Sequence, residues 1–309
     1  VSKPRSDKRE INGWLVLDKP RDITSTQAVG AARWAMRAKK AGHAGTLDPL
    51  ATGVLPIAFG EATKTVSHAM DGLKRYRFTV TWGAETDTDD VEGRVMASSP
   101  HRPTREAIEA ILPEYLGTIE QVPPKFSAIK IDGERAYDLA RDGEDVELQA
   151  RNVEIHALAL IETPDADRSV FECECGKGTY VRALARDMGR DLGCLGHISQ
   201  LRRTRVGAFD ESMAVDLEAV KALREGAPGD EAALLLPIEV ALDGLVGVAI
   251  DRGAADRIRR GQSAILRGRD APVVEGEAYA TCFGDLVAIG LVERGEFVPK
   301  RVFNLPGVR

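Results

Sequence analysis

Cysteine is scarce: Cys173, Cys175, Cys194 and Cys282 are the only four in 309 residues. So few thiols in so long a chain argue against a disulfide framework and for a reducing compartment. No pair has zinc-ligand spacing, and Cys173-Glu174-Cys175 is tighter than zinc sites use. With Phe171 these two cysteines read as one buried face of a strand, because residues two apart share a face. Long apolar runs are missing too. The richest, Ala232 to Ile250, is broken by Pro237, Glu239 and Asp243, so no segment reads as a membrane span. The first ten residues are polar and carry no apolar signal core. A cytoplasmic chain with residues 1–10 as a disordered tail is expected. Positive charge is in deficit, with 42 Lys and Arg against 48 Asp and Glu and a net charge of −6. Taken globally this argues against a nucleic-acid partner, but charges are screened beyond about 8 Å at physiological salt, so local patches matter more.

Basic residues do gather. Arg33, Arg37, Lys39 and Lys40 form one cluster, Arg182, Arg186 and Arg190 a second, and Arg202, Arg203 and Arg205 a third. A fourth comprises Arg257, Arg259, Arg260, Arg267 and Arg269. Each alone reads as a solvated face; four on an acidic chain point towards a polyanion.

The periodicity gives a mixture of elements. Trp14 to Leu17 is a short strand. Thr24 to Thr26 offer caps for a helix reaching about Lys40, and Ala41 to Gly53 reads as a loop. Lys74 to Trp82 alternates, with Tyr76, Phe78, Val80 and Trp82 on one face. Arg105 to Leu116 and Glu134 to Arg141 read as helices, Val122 to Lys130 as holding a strand, and Val153 to Ile161 and Ser169 to Cys175 as strands. Thr179 caps a helix whose stripe is Val181, Leu184, Ala185, Met188 and Leu192, with Arg182, Arg186 and Arg190 on a neighbouring face. A helix from Asp216 to Leu223 leads to a link at Gly226 to Gly229. After Leu245 the chain reads as a small, mostly β module with one helix near Gly253 to Arg260.

The informative segment is Gly42-His43-Ala44-Gly45-Thr46-Leu47-Asp48-Pro49-Leu50-Ala51-Thr52-Gly53. One Asp among glycines and threonines puts a carboxylate where backbone approaches closely. Asp before Pro is also a common turn opener, and chemistry alone favours that plainer reading. Asp87, Asp89, Asp90 and Glu92 suggest a calcium loop, but Val91 occupies the fifth ligand position. Gly176-Lys177-Gly178 lacks the third glycine of a dinucleotide loop.

Taken together, Gly13-Trp14-Leu15-Val16-Leu17-Asp18-Lys19-Pro20, the segment from Lys39 through Leu55, Gly60-Glu61-Ala62-Thr63-Lys64 and Lys74-Arg75-Tyr76 resemble the bacterial TruB family of tRNA pseudouridine 55 synthases. Gly83 to Asp89, Gln121 to Lys130, Gly176 to Arg182 and Leu201 to Thr204 resemble it as well, in the same order. The resemblance spans roughly residues 11–245. It implies an α+β fold, a mixed and mainly antiparallel sheet cut by a basic cleft, with 11–245 as catalytic domain and 246–309 as a PUA-like RNA-binding module. It implies isomerisation of uridine 55 in the T loop of tRNA. Asp48 would be the nucleophile, Tyr76 would stack on the flipped uracil, and Arg182 would pair with Asp48. Tyr180 and Leu201 would contact the base, and His43 would hold the opened loop. Lys19, Lys64 and Lys130 match motifs without a sharp role. With Arg37, Lys39, Lys40 and Arg202 they are expected at the RNA, whereas Asp87 and Asp89 are expected away from it. The reaction exchanges no electrons or groups with a third molecule, so no cofactor or metal is expected. The T arm of tRNA is the expected partner, with no protein partner, no membrane and a monomeric state. Two alternatives stand beside this reading: a guide-RNA-dependent relative, and a non-catalytic tRNA-binding or tRNA-folding protein.

Overall fold

The computed structural model describes residues 8–126, 130–131, 134–135, 148–224, 231–266 and 275–305. Ten strands form the main sheet: β1 (Gly13–Lys19), β2 (Ala41–His43), β3 (Thr52–Phe59), β4 (Lys74–Trp82), β5 (Gly117–Gln121), β6 (Arg151–Asp165), β7 (Arg168–Cys175), β8 (Gly196–Val206), β9 (Phe209–Asp210) and β10 (Val215–Asp216). Its spine runs β10-β1-β3-β8-β4-β7-β6-β5, with β2 on β3 and β9 on β8. Pairing is antiparallel except at β1–β10 and β3–β8. This is the mixed, mainly antiparallel α+β arrangement expected from the sequence. The α-helices among the described residues are α1 (Ser25–Ala35), α2 (Val66–Asp71), α3 (Arg105–Ile111), α4 (Val181–Asp191), α5 (Leu217–Arg224) and α6 (Arg252–Arg259).

Side-chain alternation sorts the sheet into two faces. Leu15, Leu17, Leu55, Ile57, Phe78 and Val80 point to one, where α1, α3, α4 and α5 pack. Trp14, Val16, Val54 and Ala58 point to the other. Phe171, Cys173 and Cys175 are all buried on the first face, as their spacing suggests.

The C-terminal module is a second sheet of β11 (Val246–Ala249), β12 (Ala264–Ile265), β13 (Gly276–Cys282), β14 (Asp285–Glu293) and β15 (Glu296–Val302), in the order β11-β13-β14-β15-β12. It has its own core around Val248, Ile258 and Phe297. Leu286, Ile289 and Phe303 join the second face of the main sheet beside Trp14 and Phe209. Lys64 fastens this joint. Its Nζ donates to Glu61 at 2.6 Å and to the Val302 carbonyl at 2.8 Å, and Glu61 also accepts from the Asn304 amide at 2.6 Å. Lys64 is therefore an anchor between two parts of the chain, where RNA contact was expected.

Several local expectations change. Helix α1 carries a capping box between Thr24 and Gln27 but ends at Ala35, short of Lys40. Arg37 turns to a left-handed φ of 53°, and the backbone of Arg37 and Lys39 then bonds Arg9. A tertiary strand pairing ends the helix. The expected loop from Ala41 begins with β2 on β3, leaving residues 44–51 as the loop. Of the strand expected within Val122 to Lys130, residues 127–129 lie outside the described residues and Lys130 opens a short strand, while Val122 to Phe126, with Pro123 and Pro124, form none. Glu134 and Arg135 pair with Lys130 and Ile131 in a two-stranded ribbon, so no helix starts there. The rest of the expected helix, residues 136–141, lies outside the described residues, as do the link at 226–229, Arg267, Arg269 and residues 1–7 of the expected tail. The N-cap of α4 is Tyr180, without a side-chain cap, so Thr179 does not cap it.

Candidate active site

The loop between β2 and β3 is clamped from three sides. Ser25, at the start of α1, accepts the Leu47 amide at 2.8 Å and donates to the Leu47 carbonyl at 3.0 Å. Lys19, fully buried, donates to the carbonyls of Pro20, Ile23 and Pro49. Arg203, 1% exposed, donates to the carbonyls of Gly45, Thr46 and Val54. These bonds satisfy loop carbonyls that would otherwise be costly to bury. They fix the backbone on both sides of Asp48.

Asp48 extends from this loop to Arg182, with Oδ2 2.9 Å from Nη2. Arg182 lies in the first turn of α4. Its guanidinium also meets Asp90 at 3.3 Å and donates to the carbonyls of Thr88 and Phe126. One helical turn on, Arg186 meets Asp89 at 2.9 Å and donates to Asp187 and to the Val122 carbonyl. Positions four apart share a helix face. Neighbouring aspartates on one tight turn therefore meet two arginines on one face. Asp89 holds a left-handed φ of 60° there, a conformation that Asp tolerates better than most residues. Burial pushes the Asp90 carboxyl upward. It pushes Asp89 up to about 6, against the pull of Arg186 and Arg182.

These arginines are not a solvated face. Arg182 and Arg186 are 4% and 7% exposed and neutralised from within. Asp89, expected away from the RNA, is buried beside them.

A cavity of about 290 Å³ opens over Asp48, and Tyr76, Tyr180, Arg182, Leu201, Lys74 and Arg203 also line it. Five of the residues named from the sequence thus share one pocket: Asp48, Tyr76, Tyr180, Arg182 and Leu201. Tyr76 stands on β4 opposite Arg203 of β8. Burial pushes the Tyr76 phenol upward while the Arg203 cation opposes. The Tyr180 amide donates to Gln121 at 2.8 Å, tying the start of α4 to the end of β5.

The remaining expectations separate. His43, at the end of β2 opposite Ile57, does not line the cavity. Burial, then the Arg203 cation, pushes its imidazole downward. Lys19 is a clamp with no surface for RNA, and burial takes its ammonium down to about 8. Arg202 is committed to Asp18 at 2.9 Å and to Glu211. Lys39 pairs with Glu10 at 2.8 Å, and Lys40 is exposed. The side chain of Lys130 lies outside the described residues.

Sequence reasoning missed three residues of the site: Arg203, Asp89 and Asp90. Arg203 carried a usable signal. It stands two positions after Leu201 on the same strand, hence on the same face, whereas Arg202 points away. The two aspartates gave none beyond a run of acids.

A ten-stranded mixed sheet, a carboxylate on a clamped loop and an aromatic-walled pocket define a pseudouridine synthase fold. Among solved structures, a chain of a Cbf5-Nop10-Gar1 complex superposes with a TM-score of 0.74 at 23% identity, covering 98% of this chain and 90% of that one. A chain of an H/ACA RNP bound to a substrate RNA containing 2'-deoxyuridine gives 0.73 at 23% identity, covering 96% and 86%. These likenesses concern the fold alone. The family is settled by sequence: residues 33–181 match the TruB family pseudouridylate synthase N-terminal domain, and residues 182–243 match the tRNA pseudouridylate synthase B C-terminal domain. The tRNA pseudouridine synthase B of Rhodopseudomonas palustris is 62% identical over 99% of this chain and 84% of its own length. That of Agrobacterium fabrum is 59% identical over 98% of this chain and its full length. The chain belongs to the TruB family.

Proposed function

We propose that this protein converts uridine to pseudouridine in tRNA, at position 55 of the T loop, with Asp48 as nucleophile. The observation that carries the reading is the Asp48 carboxylate, held 2.9 Å from Arg182 at the floor of the cavity that Tyr76 and Leu201 wall. Names of close relatives support the tRNA substrate. The cavity is too small for a paired helix, so the target base must leave its stack first. Tyr76 then offers a ring for the extruded base and Leu201 an apolar edge. Arg182 keeps a carboxylate in place by charge and hydrogen bonding.

The bond from the anomeric carbon to ring nitrogen 1 is broken and one to ring carbon 5 is made, with the displaced proton returned to the base. Atoms and electrons balance without a metal or cofactor. Attack at the anomeric carbon, attack at ring carbon 6 and glycal formation by proton removal all start from this carboxylate. In this reading Tyr180 contacts the base and His43, outside the cavity lining, holds the opened T loop. We divide the chain into a catalytic domain, 11–245, and a PUA-like RNA-binding module, 246–309, acting as a cytoplasmic monomer. Among the described residues no helix is long and apolar enough to cross a membrane.

The deciding experiment is turnover on an unmodified tRNA transcript, without guide RNA and with EDTA present, followed by mapping of the modified position. Pseudouridine at position 55 is expected. A requirement for guide RNA, a different position, or binding without conversion would each overturn the reading.

A further inference from the structure

The strongest unassigned feature is a shallow cavity of about 260 Å³ at the C-terminal end of α1, built around Trp34. Lys8, Arg33, Arg37 and Arg224 line it together with the ring, and among the described residues every charged one lining the cavity is a cation. The whole chain carries −6, so this concentration is not a composition effect.

Trp34 is 49% exposed, while Trp14 and Trp82 are 0% and 2% exposed. A large aromatic left open on a helix costs solvation unless something covers it. Its ring is nonetheless fixed. The Arg224 guanidinium lies 4.7 Å from the ring centroid and also donates to the Trp34 carbonyl at 2.7 Å. The cations beside it stand on ordered backbone: Arg9 donates to the Arg37 carbonyl at 2.7 Å and accepts from the Lys39 amide at 3.0 Å.

Gly30 supplies an independent observation. It sits four residues before Trp34, on the same face of α1. Glycine inside a helix costs about 1 kcal/mol relative to alanine, and it is usually retained for close packing or a positive φ. Here a Cβ would meet nothing within 4 Å, and no positive φ is present. Packing does not require this glycine. It lines the same cavity as Trp34, where its missing side chain leaves room.

A cationic rim around a rigid, open aromatic face fits an unpaired nucleobase with its flanking phosphates. The position suits an RNA already engaged at Asp48. Helix α1 lies on the same face of the sheet as Tyr76 and α4, and its first residue, Ser25, holds Leu47 beside Asp48. From Ser25 to Trp34 the helix rises about 14 Å, the span of about four stacked nucleotides.

We propose that the C-terminal end of α1 is a second RNA-contact site, where Trp34 stacks on an unpaired base and Lys8, Arg33 and Arg37 hold the adjoining phosphates. The proposal rests on the tRNA substrate inferred above. The probe is an unmodified tRNA transcript. Trp34→Ala is expected to weaken its binding roughly 5–150-fold, the usual range for one lost base stack, with an unchanged single-turnover rate at saturating enzyme. Gly30→Gln is expected to weaken binding as well while keeping or raising the melting temperature, because it favours the helix and fills the space. Tryptophan fluorescence of the wild type should be quenched by tRNA, and Trp34→Phe should lose that quench. Wild-type affinity in both Trp34→Ala and Gly30→Gln, or a quench that survives in Trp34→Phe, would overturn the site. If the wild type binds tRNA without isomerising it, the functional reading fails and the binding tests still stand. If it isomerises tRNA and Trp34→Ala binds normally, only this site fails.

Discussion

At the scale of single residues, the site turns on which charges are available and which are spent. Asp48 is the exposed member of a network whose other members are buried, with Arg182 holding its side chain at 5% exposure against 36% for Asp48. Asp48→Asn keeps the shape and the contact with the guanidinium but removes the nucleophile. It should abolish pseudouridine formation while tRNA affinity stays within about tenfold, or 1.4 kcal/mol. Residual turnover above about a thousandth of wild type, measured under single-turnover conditions, would count against a nucleophilic Asp48. A pH profile tests the support behind it. With its carboxyl pushed up to about 6, Asp89 is ionised and paired with Arg186 at pH 8 and neutral at pH 5. The single-turnover rate should therefore drop on acidification with a midpoint near 6, as Arg186 loosens from the Val122 carbonyl. Folding stability responds in the opposite direction. Between about 3.8 and 6 the folded state binds more protons at Asp89 than the unfolded state, so this group's contribution is present at low pH and is lost as pH rises through about 6. Asp89→Asn should be slower than wild type at pH 8 and should lack the step near 6. A step that persists in Asp89→Asn would assign it elsewhere.

At the scale of elements, α4 is the piece whose placement matters most, because it delivers Arg182 and Arg186 together. Its position is set by Gly189, where an added Cβ would stand 2.3 Å from the Gly196 amide nitrogen at the start of β8. Gly→Ala inside a helix ordinarily stabilises by about 1 kcal/mol. Here the clash is with backbone, which cannot swing aside, so the sign reverses. Gly189→Ala should lower the melting temperature, and the displaced helix should slow catalysis more than it weakens tRNA binding. A raised melting temperature would show that α4 and β8 part without cost. The sequence made some of this legible. Lys74 to Trp82 alternates cleanly and forms β4 over those residues. Of the expected stripe Val181, Leu184, Ala185 and Met188 are buried, and Leu192, the C-cap, is partly buried. What periodicity could not show is that the arginines beside that stripe are buried too, since Asp89 and Asp90 are about ninety residues distant in the chain and arrive only through the tertiary fold. The same blindness affected α1, whose end is fixed by a strand pairing with Arg9, and Arg202, whose partners Asp18 and Glu211 lie on other elements. Asp48, Tyr76, Tyr180, Arg182 and Leu201 of the pocket, by contrast, were legible from motif resemblance, because a shared motif carries the tertiary context that local spacing lacks.

At the scale of the whole molecule, an acidic protein must hold a polyanion with the cations it has not already used. Arg182, Arg186, Arg190 and Arg202 all face carboxylates, and Lys64 joins the C-terminal module to the main sheet. Counting basic clusters along the sequence therefore overstates the contacts available to RNA. The docking of Leu286, Ile289 and Phe303 against Trp14 and Phe209 also means that removing residues 246–309 would uncover part of the core. Truncation consequently confuses lost contacts with lost stability, and point changes in charge are the cleaner probe. If about four phosphates are neutralised, affinity should fall with a slope of roughly −3 to −4 in log–log salt plots, or about two orders of magnitude over a fivefold change in salt. Lys40→Gln should make that slope shallower by roughly 0.7–0.9, the share of one phosphate, because Lys40 is exposed at the end of the first cluster. Arg202→Gln should leave the slope unchanged, because its charge already answers Asp18 and Glu211. The comparison is between two basic residues that look equivalent in the sequence, and only the fold separates them. Equal effects of the two substitutions would mean that Arg202 leaves its carboxylates to meet the RNA. A flat salt response in the wild type would mean that shape and stacking hold the substrate, with the surface cations merely solvated.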